Sequence, residues 1–188
     1  AVTKAPPDGY TILISTASIA VSPAIYANLG YDPVKDLAPI ARLTNIPNIL
    51  LVHPSVPAKT LREFINLARA APGKLNFGSG GAGTTNHLAN ELLKHLEKIN
   101  IVHVPYKGVG PALIDVLAGQ ITMTFGAVPG VLPYARSGRL RALGVTGATR
   151  IVALPSLPTV AEGGVPGYEA TLWFGVDRKS TRLNSSHR

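Results

Sequence analysis

The chain has 188 residues, 46% of them hydrophobic, no cysteine, and 18 lysines and arginines against 10 aspartates and glutamates. That is the composition of a packed globule rather than a disordered chain, and the lack of cysteine excludes disulfides and cysteine-ligated zinc or iron–sulfur centres. No apolar run of about 18 residues is present to cross a bilayer as a helix, and the opening Ala1-Val-Thr-Lys-Ala-Pro-Pro7 has neither a charged n-region nor an apolar h-region, so any export signal is expected to lie outside these residues.

In chain order, Asp8-Gly9 signals a turn, and Tyr10–Ser15 is a short β-branched run of the kind buried in a parallel sheet. Residues 17–30 are weakly helical, and Tyr31-Asp-Pro33 and Pro39 punctuate an irregular stretch before a second buried run, Ile49–Val52, closed by Pro54. Residues 59–70 place Leu61, Phe64, Ile65, Leu67 and Ala68 on one face of a helix that Pro72-Gly73 ends. The pattern then alternates: strand 75–78, helix 85–96, strand 101–105, helix 111–118, strand 121–125, helix 132–137, strand 140–145, and after a Pro/Gly-rich segment a last strand over 168–175. Strand–helix alternation at this spacing predicts an α/β fold with parallel strands and right-handed crossovers. Residues 55–165 form a nearly self-sufficient unit, whereas residues 1–54 supply too few elements to bury a core and are expected to be the remnant of another, with 166–176 returning to it.

Residues 177–188 break with the preceding text, show no hydrophobic period, and resemble translated sequencing-adapter DNA. They are expected to be a non-native tail that does not pack. Without their four basic residues and one acid, the net charge of +8 falls to +5. The remaining charges form no basic run or aromatic-interleaved stripe, so no nucleic-acid partner is expected.

The most informative stretch is Phe77-Gly-Ser-Gly-Gly-Ala-Gly-Thr-Thr-Asn-His87, in which a strand runs into glycines and then a helix. Such an order aims backbone N–H groups and the positive helix end at whatever lies above it, predicting an anion site built from Ser79, Gly80, Gly81, Ala82, Gly83, Thr84 and Thr85. A tight βα turn with an ordinary N-cap is the alternative. Gly78-x-Gly80-x-x-Gly83 also fits the dinucleotide fingerprint, so an NADP-type oxidoreductase is the rival function. The acid that the fingerprint wants at the end of the next strand is missing, and Lys107 stands there instead.

Tyr106-Lys107-Gly108 repeats the arrangement at the next helix start, where Lys107 is either a counter-charge for a carboxylate or a solvated loop lysine. Phe125 and Gly126 end a third strand at the same edge, and ligands of open α/β sheets sit outside the carboxyl ends of strands. Ser79, His87 and Asp115 lack the nucleophile elbow of a hydrolase. His53, His87, His95 and His103 lack metal-ligand spacing and read as turn, cap or sheet residues. Neither an enzyme, nor a metal, nor a cofactor is expected.

Taken together, Lys4-Ala-Pro-Pro-Asp-Gly-Tyr-Thr11, Tyr31-Asp-Pro-Val-Lys-Asp36, Gly78–Ala89, Val104-Pro-Tyr-Lys-Gly108, Leu140–Thr146 and Leu157-Pro-Thr-Val-Ala-Glu162 resemble the substrate-binding receptors of tripartite tricarboxylate transporters, the Bug-type receptors, from residue 1 to about 176. The resemblance implies a type II periplasmic-binding-protein fold, two α/β lobes around a cleft, with the first lobe incomplete at both ends here. It implies a periplasmic location, a small carboxylate ligand (dicarboxylate, tricarboxylate or acidic amino acid), and the membrane subunits of the transporter as partners. It also implies that the loops 78–85 and 106–108 are one lobe's share of the ligand site, and that Ser15, Thr16 and Ser18 belong to the other's. Many relatives carry an acid where Gly126 stands. If that acid pairs with a ligand amino group, this chain leans towards plain carboxylates.

Overall fold

The computed structural model describes residues 2–181. The chain divides into two compact units, Ala1–Asn45 with Trp173–Arg188, and Ile46–Leu172. The first boundary therefore falls nine residues before the expected one at 54/55, because Ile49–Val52, with no solvent exposure, form an inner strand of the larger unit's sheet rather than part of the smaller one. The return crossing falls at 172/173 rather than 165/166, since Tyr168 is still a core residue of the larger unit and Ala170 packs against that core.

In the smaller unit, strand β1 (Ile12–Thr16) leads into helix α1 (Ser18–Ile25), and strand β2 (Leu37–Val52) begins there before running on into the larger unit. Strand β7 (Thr171–Lys179) pairs antiparallel with β1 and lies between β1 and β2. β1 is thus not the buried parallel strand that its apolar run predicts: Ile12 and Ile14 are 55% and 63% exposed. Nor is the stretch before Ile49 irregular. β2 is 16 residues long and includes Pro39 and Pro47, and its exposed first part gives no apolar signal. The break in composition at Asp177 is not a break in structure either. Asp177, Arg178 and Lys179 continue β7, with Asp177 opposite Leu13 and its carboxylate accepting a hydrogen bond from the Ser15 hydroxyl. The rest of the expected tail, residues 182–188, lies outside the described residues.

The larger unit holds strands β3 (Asn76–Ser79), β4 (Val102–Pro105), β5 (Met123–Ala127) and β6 (Arg141–Val145), and helices α2 (Leu61–Ala70), α3 (Thr85–Glu97), α4 (Val109–Leu117) and α5 (Val128–Arg136). Across its sheet the order is β4-β3-β5-β2-β6. β3 runs parallel to β4 and β5, as the strand–helix alternation predicts, whereas β2 runs antiparallel to both β5 and β6. Side chains alternate between two cores. On one face Leu50, Phe77 and Phe125 pack under α2 and α3 through Phe64, Ile65, Ala89 and Leu93. On the other, Ile49, Leu51 and Val145 pack against Val116 of α4 and Val131 of α5. Because α3 covers one face and α4 and α5 the other, the loops after β3, β4 and β5 part at a single edge, where an α/β sheet opens a crevice.

Candidate functional site at the carboxyl edge of the larger unit

The chain leaves β3 at Ser79 and turns through Gly80–Thr84 into α3. Gly81 has φ of +117°, a conformation that glycine adopts without cost and other residues rarely do. At Gly80 the next loop comes so close that an added Cβ would stand 3.3 Å from the Val109 amide nitrogen. Tyr106 N–H donates to Ser79 O at 2.9 Å and Gly108 N–H to Gly80 O at 3.3 Å, so the loops after β3 and β4 form one continuous backbone surface.

The loop amides are not all turned outward, contrary to the sequence expectation. Gly80 N–H donates to Asn86 Oδ1 at 3.5 Å, Gly81 N–H to Ser79 Oγ at 3.1 Å, and Gly83 N–H to His87 Nδ1 at 3.3 Å. What remains for an anion is the start of α3 itself. Thr84, its N-cap, makes no side-chain cap bond, because its hydroxyl instead donates to Gly81 O at 2.6 Å. The first-turn amides of a helix have no intrahelical acceptor and carry the positive end of its dipole. α4 and α5 begin the same way: their N-cap residues, Gly108 and Ala127, provide no side-chain acceptor. Three helix starts without side-chain caps therefore stand at the carboxyl ends of three adjacent strands.

The individual residues divide as follows. Ala82 and Lys107 are exposed, and Thr84, Thr85 and Tyr106 are partly so. The Tyr106 hydroxyl donates to Asp115 Oδ2 at 2.6 Å, and that carboxylate pushes its pKa up to about 12. Ser79 is wholly buried, so its hydroxyl organises the loop rather than facing solvent. Phe125 has no exposed surface and stacks on Tyr168, which places its ring in the core and not at the site as expected. Gly126 is buried too, and a side chain there would collide with Cγ1 of Val131. α5 begins at Val128, straight after β5 and four residues earlier than its periodicity predicts, with Pro129 in the first turn where its missing N–H costs nothing. In the smaller unit, Ser15 is buried with its hydroxyl committed to Asp177, Thr16 ends β1, and Ser18 opens α1.

Sequence reasoning missed Asn86, and it read His87 and His103 as turn, cap or sheet residues without their meeting beneath the loop. Asn86 is 4% exposed and its Nδ2 has no hydrogen-bond partner. His103 on β4 stacks on Phe77 at 4.7 Å between centroids, stands 4.3 Å from the ring of His87, and has Nε2 2.6 Å from Ser79 Oγ. Burial, followed by the neighbouring His87, holds the His103 pKa below its ordinary value.

Residues 1–180 match the family model described as the tripartite tricarboxylate transporter family receptor. The chain is 35% identical to the protein BugT of Bordetella pertussis over 178 residues, covering 94% of this chain and 55% of that protein. Among solved structures it superposes on Rpa4515 of R. palustris with adipate at a TM-score of 0.86 and 38% identity, covering 97% of this chain and 62% of that one. It superposes on the periplasmic binding protein BugD at 0.85 and 29%, covering 97% and 61%. The chain spans about half the length of the curated relatives it matches. These matches give the dinucleotide reading no support, and the fingerprint amides of Gly80 and Gly83 are already bonded within the loop. With the α/β fold of the periplasmic binding proteins, the chain belongs to the receptor family of the tripartite tricarboxylate transporters.

Proposed function

We propose that this chain is part of a periplasmic receptor that captures a small carboxylate and delivers it, chemically unchanged, to the membrane subunits of a tripartite transporter. The observation that carries this reading is the convergence of three helix starts without side-chain caps at one sheet edge. A charge at a partly buried helix terminus gains at most about 2 kcal/mol, and a micromolar complex needs about 8 kcal/mol. One helix start is insufficient, and several brought together are what an anion receptor requires.

Ala82 and Thr85 offer donors beside the start of α3, where both donors of Thr84 are held by Gly81 O, and exposed Lys107 adds a positive charge beside the start of α4. The adipate held by the Rpa4515 relative favours a dicarboxylate. The space at position 126, closed by Val131 where an acid would recognise an amino group, favours ligands without one.

Calorimetric titration with dicarboxylates, tricarboxylates and acidic amino acids tests the reading, with recovery of the ligand afterwards. Saturable binding of an unaltered dicarboxylate is expected. Conversion of the ligand, or an absorbance change with a nicotinamide nucleotide, would overturn it.

A further inference from the structure

Two histidines outside the expected site carry the anion loop on their rings. His87, in the first turn of α3, accepts the Gly83 N–H on Nδ1 at 3.3 Å, which requires that nitrogen to be unprotonated and leaves the ring hydrogen on Nε2. Nε2 faces Glu91 Oε1 at 3.9 Å. His103 touches the same loop from the other side: its Nε2 is 2.6 Å from Ser79 Oγ, which in turn accepts the Gly81 N–H at 3.1 Å. The pairing of β3 with β4 puts His103 opposite Phe77, and the aromatic ring beneath and the His87 ring beside it leave little room for a second charge.

We propose that His87 and His103 are the positioning residues of the anion loop: uncharged, they fix the Gly81 and Gly83 amides, and a proton on His87 Nδ1 releases Gly83 and loosens the entry to α3. The inference rests on the reading of this loop as the carboxylate site, and it adds that carboxylate capture weakens as pH falls through the histidine range. When His87 gains its proton, Nδ1 becomes a donor facing the Gly83 N–H, so the hydrogen bond becomes a clash of two donors. The charged groups around the pair act in both directions. On α3, Glu91 favours the imidazolium, and Lys94, which bonds Glu91 at 2.7 Å and lies 5.6 Å from the centroid of Phe77, opposes it. From β4 comes His103 itself. Phe77 of β3 and the loop residues Ser79, Gly81 and Gly83 bring no charge. The two rings at 4.3 Å cannot both be charged without mutual repulsion, and only a proton on His87 Nδ1 removes an acceptor from the loop, because His103 Nε2 can also donate to Ser79 Oγ.

Nitrogen-detected NMR of the imidazole rings, together with protection factors of the loop amides, tests this between pH 8 and pH 5 without any ligand. The expected result is an Nε2–H tautomer for His87 at pH 8, followed by at least a tenfold fall in the protection of Gly83 with the same midpoint as the His87 ring. In His87→Asn, whose Oδ1 replaces Nδ1 as an acceptor that does not titrate, Gly83 should stay protected across the range. His103→Gln should preserve the bond to Ser79 and leave the His87 titration in place. Loop amides that ignore the titrating rings, or a His87 hydrogen found on Nδ1 at pH 8, would overturn the proposal, and the unsubstituted chain suffices for both observations. Adipate titrations at pH 7.5 and pH 6 form the second arm. The unsubstituted protein should lose at least fivefold more affinity than His87→Asn, a ratio from which adipate's own protonation cancels. Absence of adipate binding at both pH values would count against the carboxylate reading, while the NMR result would still decide the role of the histidines.

Discussion

The two edges of the larger unit's sheet start their helices differently. At the edge where β2 ends, α2 has a side-chain cap: Thr60 Oγ1 accepts the Glu63 N–H at 3.2 Å, and Glu63 Oε2 accepts the Lys59 N–H at 2.6 Å. This arrangement resembles a capping box, with the Lys59 amide in place of the N-cap's own, and it uses two donors that would otherwise seek a partner. The nearby carbonyls of Val56 and Ala58 are likewise bonded to the Arg141 guanidinium, at 3.0 and 2.8 Å. At the opposite edge α3, α4 and α5 start without a side-chain cap. Within the larger unit one helix start has a side-chain cap and three have none, which costs up to about 1 kcal/mol per missing cap and less at the glycine N-cap of α4, and the loss is localised where the strand ends open. The difference teaches where the larger unit closes a helix start with side chains and where it leaves the starts open, and the open edge is the one proposed here to meet the ligand.

The sharpest way to break that contrast is to close the uncapped edge. Gly81→Val forces a β-branched residue to φ of +117° and puts a side chain where the Tyr106 carbonyl already lies 3.5 Å from an added Cβ. Carboxylate affinity should fall by more than tenfold, at least about 1.4 kcal/mol. A calorimetric titration showing less than a threefold loss would mean that the loop is only a turn.

Acid should strain the same edge through its histidines. The His103 pKa is lowered in the fold, so the unfolded chain takes up its proton first as pH falls. The stabilisation from the uncharged ring is complete above the ordinary value of 6.5 and is lost as pH drops through the depressed folded value. The thermal midpoint should decline with acid in the unsubstituted protein and decline less in His103→Gln. Parallel curves for the two would show that His103 contributes nothing to this window.

The capped edge supplies the converse experiment. Thr60→Ala removes the acceptor for the Glu63 amide and should cost about 1 kcal/mol, a fall in midpoint of roughly 2–4 °C for a chain of this size. Carboxylate affinity should not change. A change in binding without a change in stability would undo the division between the edges.

How much of this was legible in the sequence follows from the range of each interaction. The helices α2 and α3 and the strands β3 to β6 lie within a few residues of their expected places, because buried positions at helical spacing, such as Leu61, Phe64, Ile65 and Ala68, leave a local signal. The first part of β2 left none, since its residues are largely exposed and include Pro39. Asp177 reads as foreign by composition, yet it meets Ser15, 162 positions away, through strand pairing that composition does not encode. The loop 78–85 was legible as a turn between a strand and a helix from its order of strand, glycine and helix. Its histidine support was not, because His87 and His103 meet only once β4 is set beside β3 with His103 opposite Phe77. One local signal was available: Thr60 has Glu63 three positions on, the spacing of a capping box, and Thr84 has His87 there instead.

The smallest expected effect concerns Lys107, the exposed cation beside the start of α4. An exposed ion pair is worth only about 0–1 kcal/mol, because water screens it and the long side chain loses freedom on pairing. Lys107→Met should therefore weaken carboxylate binding by no more than about fivefold, far less than Gly81→Val, and should leave the thermal midpoint in place. Its diagnostic is salt. Exposed charges separated by more than about 10 Å are largely screened at 0.1 M ionic strength. Added salt should thus weaken the unsubstituted protein towards the variant, whereas the variant, bound through backbone dipoles set in the fold, should respond less. Equal salt dependence in the two would make Lys107 a solvated loop residue and leave the three helix starts as the whole of the proposed anion site.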